Sequence, residues 1–183
     1  MEFKQVIDDW KSREIKFKHN EILEMGFKSW EDYRFSFDES NPGILVRNQI
    51  IQLLDPGKKF DCLDYDFNFL MKSTLAPFEK WNLSHSRGLS STSLSSAYLR
   101  VYQNNLWSNA YDFAISRMIA NQNVSLVGVY SRQLDKVLII DGCHTLIAYL
   151  RMLAVGIQPR NCKIFIQTVD FSLENLFFNI FNS

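Results

Sequence analysis

Four side chains that can do chemistry lie around one glycine in a single short stretch of the sequence. Residues 141–145 read Asp-Gly-Cys-His-Thr and supply a carboxylate, a thiol, an imidazole and a hydroxyl. An apolar run ends at Asp141 and a helical pattern follows, which predicts a strand-to-helix corner. The first N–H groups of a helix and the helix dipole both favour a bound anion. Gly142, which has no side chain, lets the backbone approach a ligand closely. The corner therefore predicts an anion site of the kind that binds phosphate.

The same residues also have structural roles open to them. Asp141 could cap the helix or the turn, because aspartate is a preferred residue at such positions. Cys143 could be a small buried hydrophobic residue. His144 could donate a hydrogen bond to a loop carbonyl. On these residues alone, a ligand site and a well-filled turn both stay open.

Composition and charge restrict the class of protein. The chain has 183 residues, of which 46% are hydrophobic, and this suits one domain with an extension. Lys plus Arg and Asp plus Glu both number 20, so no general attraction to nucleic acid or anionic lipid is expected. No run reaches the roughly 18 apolar residues that span a bilayer. The three cysteines form no CxxC pair, which favours a cytoplasmic protein. The histidines are far apart in the sequence, so we predict no metal site.

The pattern of the chain predicts an α/β fold behind an N-terminal extension. Residues 1–57 have a mostly helical pattern and end at the turn sequence Asp55-Pro56-Gly57, so we predict a core at 58–183. Within the core, we expect a strand over 59–69, a Ser-rich loop over 83–96 and a helix over 97–120 with a break near Asn105 or Ser108. Further along the chain, the pattern predicts strands at 124–130, 137–140 and 162–169 and helices at 145–153 and 172–182.

The stretch around the corner resembles a known superfamily. The resemblance lies in the sequence LVGVYSRQLDKVLIIDGCHTLIAYLRML, followed by PRNCKIFIQTVDF. It is similar to the ParB/sulfiredoxin superfamily, in which a hairpin precedes a DG-x-H-R or G-C-H-R turn, a helix and a strand. Gly142-Cys143-His144 matches the sulfiredoxin form, and Asp141, Gly142 and His144 match the other form. The resemblance covers residues 59–170, most closely 124–170, and implies a small mixed sheet with flanking helices.

Family members use this turn to bind nucleotide phosphates, so the resemblance implies a site for ATP or another nucleotide with Mg²⁺. Gly142, Cys143, His144 and Thr145 would bind the phosphates. Thr145 departs from the pattern, because the family usually has an arginine there. Arg87 or Arg132 could replace that positive charge.

The resemblance leaves three functions open. The first is a kinase that transfers phosphate to a small-molecule hydroxyl, with His144 and Asp141 in the site and Glu79 as base by its order in the chain. The second is sulfiredoxin-like, ATP-dependent thiol chemistry at Cys143. The third is a ParB-like binding protein, without catalysis or gated by nucleotide, whose partner is DNA or another protein. Residues 1–57 could bind that protein partner or a second copy of the chain.

Overall fold

The computed structural model describes residues 1–9, 54–75, 92–103 and 109–170. The chain divides into two compact units, Met1–Lys59 and Phe60–Ser183. In the first unit, residues 3–9 are helical, with Val6 and Ile7 buried. Residues 10–53 of the predicted helical extension lie outside the described part of the chain.

The predicted break at Asp55-Pro56-Gly57 is a turn. The Asp55 carboxylate accepts a hydrogen bond from the Gly57 N–H (2.8 Å), and the Asp55 carbonyl accepts one from the Lys58 N–H (3.0 Å). An aspartate side chain that bonds the backbone two residues on is a common way to fix a turn. The exposed Lys59 ammonium forms an ion pair with Glu2 (2.6 Å).

The second unit alternates strands and helices. Its elements are β1 (Asp61–Asp64), α1 (Phe67–Lys72), β2 (Ser73–Leu75), β3 (Thr92–Ser93), α2 (Leu94–Gln103), α3 (Asn109–Ile119), β4 (Val124–Ser131), β5 (Lys136–Asp141), α4 (Cys143–Ala154) and β6 (Cys162–Val169).

The strands of the described residues form one mixed sheet in the order β1-β6-β4-β5-β2-β3. Strands β4 and β6 are parallel, as are β2 and β5, whereas the β1–β6, β4–β5 and β2–β3 pairs are antiparallel. The β4–β5 hairpin and β6 confirm the strands expected from the sequence. The prediction of the general α/β class is also confirmed.

The middle of the sheet is buried on both faces. In β5, Val137 and Ile139 belong to the main hydrophobic cluster together with α4, and the alternate residues Leu138 and Ile140 are buried as well. Continuous apolar strands are typical of sheet positions covered on both sides. Helix α4 packs its apolar face on this core and ends at Ala154, and Gly156 follows its C-cap with a φ of 80°. The N–H of Ile157 bonds back to the Met152 carbonyl (2.9 Å), a standard helix ending.

The predicted strand over 59–69 is wrong beyond Asp64. The Asp66 carboxylate accepts hydrogen bonds from the N–H groups of Asn68 (2.9 Å) and Phe69 (3.2 Å), so it caps α1 instead of continuing the strand. As a consequence Phe67 lies in the first turn of α1, where it is 67% exposed.

The boundaries predicted between 83 and 120 also need correction. The chain is already a strand at 92–93, and α2 begins at Leu94, so the Ser-rich segment is not a loop up to residue 96. The helix predicted over 97–120 with an internal break corresponds to two helices, α2 and α3. The suggested break residues, Asn105 and Ser108, lie outside the described residues, as does the predicted helix at 172–182.

Candidate functional site

The corner between β5 and α4 is built on Gly142. Its φ of 88° and ψ of 20° are left-handed, and it is the N-cap of α4. A Cβ at this position would lie 2.5 Å from Leu126 Cδ2 on β4, so a side chain has neither the backbone conformation nor the space. The helical hydrogen bonds begin with the Leu146 N–H, which donates to the Gly142 carbonyl (2.9 Å). The N–H groups before Leu146 precede this ladder, as an anion site at a helix start requires.

A bulge in the hairpin lies immediately before this corner. Val127 is opposite Asp141, whereas the next residue of β4, Gly128, is opposite Ile139. Ile140 is therefore an extra residue on β5. Such bulges bend a strand and change the direction of the residues that follow. Asp141, at the end of the strand, is half-buried.

Cys143 points into the protein. It is 7% exposed and belongs to the main hydrophobic cluster. Its thiol lies 3.9 Å from the Ile139 carbonyl oxygen, within range of a weak S–H hydrogen bond. These contacts are those of a small buried hydrophobic residue, which was one of the two roles that the sequence left open.

His144 lies against a tyrosine that the sequence did not single out. The rings of His144 and Tyr111 have centroids 5.0 Å apart and planes at 62°, an edge contact. Tyr111 lies on α3 and has no exposed surface, whereas His144 and Thr145 are half-buried. Burial, and to a lesser extent the charge of a nearby Cys143 thiolate, raises the pKa of the Tyr111 phenol. The phenol is therefore neutral at ordinary pH.

The two basic residues suggested as replacements for the family arginine have different outcomes. Arg132 lies before the start of β5, whereas the corner lies at the end of β5. The length of that strand, about 17 Å, therefore separates Arg132 from the corner. The Arg132 guanidinium also pairs with the Asp170 carboxylate (3.3 Å). The prediction that Arg132 could replace the family arginine is therefore wrong. Arg87 lies outside the described residues, as does Glu79.

Leu75 and Thr92, the described residues on either side of 76–91, lie at the same edge of the sheet as the corner. β2 is parallel to β5, with Leu75 opposite Ile139, so both strands end at this edge. The chain returns at Thr92, which pairs with Leu75. Ligand sites in open α/β sheets commonly lie beyond the carboxyl ends of the strands.

Among the described residues, no group of three or more His, Cys, Asp or Glu could hold a metal ion. No helix in these same ranges is both long and apolar enough to cross a membrane. Comparison with protein-family models, with curated proteins and with solved structures gives no match to this chain.

Proposed function

We propose that the chain is a nucleotide-dependent phosphotransferase with a ParB/sulfiredoxin-like core, and that it acts on a small-molecule hydroxyl. The observation that carries the proposal is the corner itself. A left-handed glycine starts a helix at the carboxyl ends of two parallel strands, and His144 is the next residue but one. This arrangement suits phosphate groups, because helix N–H groups and a histidine can donate to them together.

Each residue has a role in the proposed reaction. The N–H groups at the start of α4 and the Thr145 hydroxyl hold the phosphates, and His144 donates a hydrogen bond to the transferring group. Asp141 orients the turn or the Mg²⁺ that arrives with the nucleotide, a metal that needs few protein ligands. Glu79 removes the proton from the acceptor hydroxyl, whose oxygen then attacks the terminal phosphorus. The bond from that phosphorus to the bridging oxygen breaks, and the nucleoside diphosphate leaves.

The alternative functions use the same corner. Thiol chemistry needs an accessible thiolate near a cation, and the burial of Cys143 gives it less support than phosphate binding has. A ParB-like binding protein needs the nucleotide site without transfer, and Thr145 in place of arginine is compatible with that reading. Nucleotide turnover with a panel of hydroxyl acceptors separates a kinase from a binding protein. Binding to DNA at two salt concentrations tests the DNA version.

The first test is calorimetric titration with ATP, CTP and ADP plus Mg²⁺. We expect saturable binding to the wild type and, for His144→Ala, a dissociation constant at least about tenfold higher, because a charge-assisted hydrogen bond is lost. Arg132→Ala is the matched control, since Arg132 lies at the far end of β5 and its ion pair is exposed. We expect Arg132→Ala to bind as the wild type does. Binding of no nucleotide would refute the proposed function.

A further inference from the structure

A second glycine of the hairpin lies where strand β5 comes unusually close to β4. Gly128 is a buried residue of β4 and lies opposite Ile139. A Cβ on Gly128 would be 2.9 Å from the Leu138 carbonyl oxygen and 3.1 Å from Val137 Cγ1. A side chain can adjust, whereas the carbonyl oxygen moves only with the backbone of β5, which is paired on both sides. Glycine in the interior of a strand commonly marks such a close approach of another backbone.

Gly128 on β4 and Gly142 after β5 lie on the two sides of the β-bulge. Gly128 faces β5 just before the bulge, and Gly142 follows the bulge with no room for a Cβ beside Leu126 of β4. The two strands are therefore close together both before and after the bulge. The surplus length of β5 must be taken up between these two points, which is where Ile140 lies.

The bulge determines where the corner lies beside β4. A bulge bends its strand and changes the direction of the residues that follow, and bulges are over-represented next to active sites. Without the extra residue, the regular register of the hairpin would place Ile140 opposite Val127, and Asp141 would shift by one residue relative to β4. A side chain at position 128 would separate the strands immediately before the bulge, so the extra residue would no longer be confined to one position.

We propose that Gly128 is a positioning residue for the corner. The close approach of β5 at Gly128 confines the extra residue to Ile140 and thereby sets the path of the backbone through residues 141–145. The effect on nucleotide affinity rests on the proposed function, whereas the effect on the strand register does not.

The test measures the strand register directly. Residues directly opposite each other in an antiparallel pair have Cα atoms about 4.5–5.5 Å apart, so their backbone protons give nuclear Overhauser effects in protein labelled with ¹³C and ¹⁵N. In the wild type we expect these contacts between Val127 and Asp141 and between Gly128 and Ile139. In Gly128→Ala we expect the second contact to be lost and the amide resonances of residues 141–145 to move.

Val129→Ala is the matched control. Val129 is the next residue of β4 and is buried, so its truncation also removes packing from the hairpin, but it adds no atom between the strands. We expect Val129→Ala to keep both contacts and the wild-type resonances of residues 141–145. A change that merely destabilises the fold would affect the two variants alike.

Nucleotide affinity is the second readout. Calorimetric titration with ATP and Mg²⁺ should give a dissociation constant at least about tenfold higher for Gly128→Ala, because a displaced corner no longer aligns its N–H groups with the phosphates. Val129→Ala should bind as the wild type does. If the wild type binds no nucleotide, the proposed function fails, and the backbone contacts still decide the role of Gly128.

Three results would overturn the inference. The first is a wild-type contact of Val127 with Ile140 in place of Asp141, which would mean that the hairpin has no bulge there. The second is a Gly128→Ala protein that keeps either the wild-type contacts or the wild-type affinity. If Gly128→Ala is unfolded in buffer, the measurements are made in sucrose, which favours the folded state. Failure to fold in sucrose, while Val129→Ala folds, is the third, because the glycine would then be required for the fold as a whole.

Discussion

Gly142 determines the geometry of the corner because two independent constraints act on it. Its left-handed backbone disfavours any side chain, and the space that a Cβ would need is occupied by Leu126. Gly156, at the other end of α4, has a similar φ of 80° but nothing within 4 Å of a Cβ position. The two ends of one helix therefore offer a comparison in which only the second constraint differs.

We predict that Gly142→Ala destabilises the fold more than Gly156→Ala does. The backbone strain alone should cost about 1 kcal/mol at Gly156. At Gly142 the contact with Leu126 adds to it, for a total of about 3 kcal/mol. Chemical denaturation of both variants measures the two free energies of unfolding. Equal losses would mean that the Leu126 side chain moves aside at little cost.

At the residue scale, the sequence indicated the corner but not its neighbours. The order of apolar run, glycine and helical pattern was sufficient to locate Gly142 and His144, because those features are local. Tyr111 was missed, although Tyr111, Ala114 and Met118 have the spacing of one helical face. Phe113, a large hydrophobic residue of the same helix, is 53% exposed. Which side of α3 packs against α4 depends on tertiary packing. The hydrophobic pattern of one helix does not carry that information.

At the scale of elements, the aspartates around β1 show why a local pattern failed. Asp61, Asp64 and Asp66 alternate with apolar residues, which is typical of a strand. Asp66 nevertheless ends the extended segment because its carboxylate bonds the backbone of α1. A hydrophobic period of two residues indicates only which side chains share a face of a strand. It does not indicate whether an aspartate among them caps a helix.

We predict that Asp66→Ala lowers the free energy of unfolding by about 1 kcal/mol, the usual cost of removing a helix cap. Asp64→Ala is the control, because Asp64 is an exposed aspartate of the adjacent strand that pairs with Lys163. Exposed ion pairs contribute little, so we expect a loss below about 0.5 kcal/mol for Asp64→Ala. Urea denaturation of both variants measures the losses. A cost for Asp66→Ala no greater than the control would show that α1 does not depend on its cap.

For the whole molecule, the cysteines report which surfaces are accessible. Cys62 is exposed, and Cys143 and Cys162 are buried. Burial also raises the pKa of the Cys162 thiol to about 12. A buried thiol can react with a soluble reagent only when the structure opens around it.

We predict that a thiol reagent at neutral pH modifies Cys62 in the native protein at least about a hundred times faster than Cys143 or Cys162. Denaturant should make all three react quickly. Mass spectrometry of peptides from a time course identifies each modified residue, and Cys62→Ser removes the fast phase. Rapid native modification of Cys143 would contradict its burial and would favour the thiol chemistry over phosphate transfer.

The strand order has a consequence for how the chain is made on the ribosome. The strands that are synthesised first, β1, β2 and β3, lie at the outer positions of the sheet, and β4, β5 and β6 form its centre. β1 has its pairing partner only after β6 has been synthesised, and β2 joins the centre of the sheet only after β5. During synthesis, the outer strands therefore cannot complete their pairing until the central strands have been made. The corner between β5 and α4 belongs to the part of the protein whose arrival allows the rest to assemble.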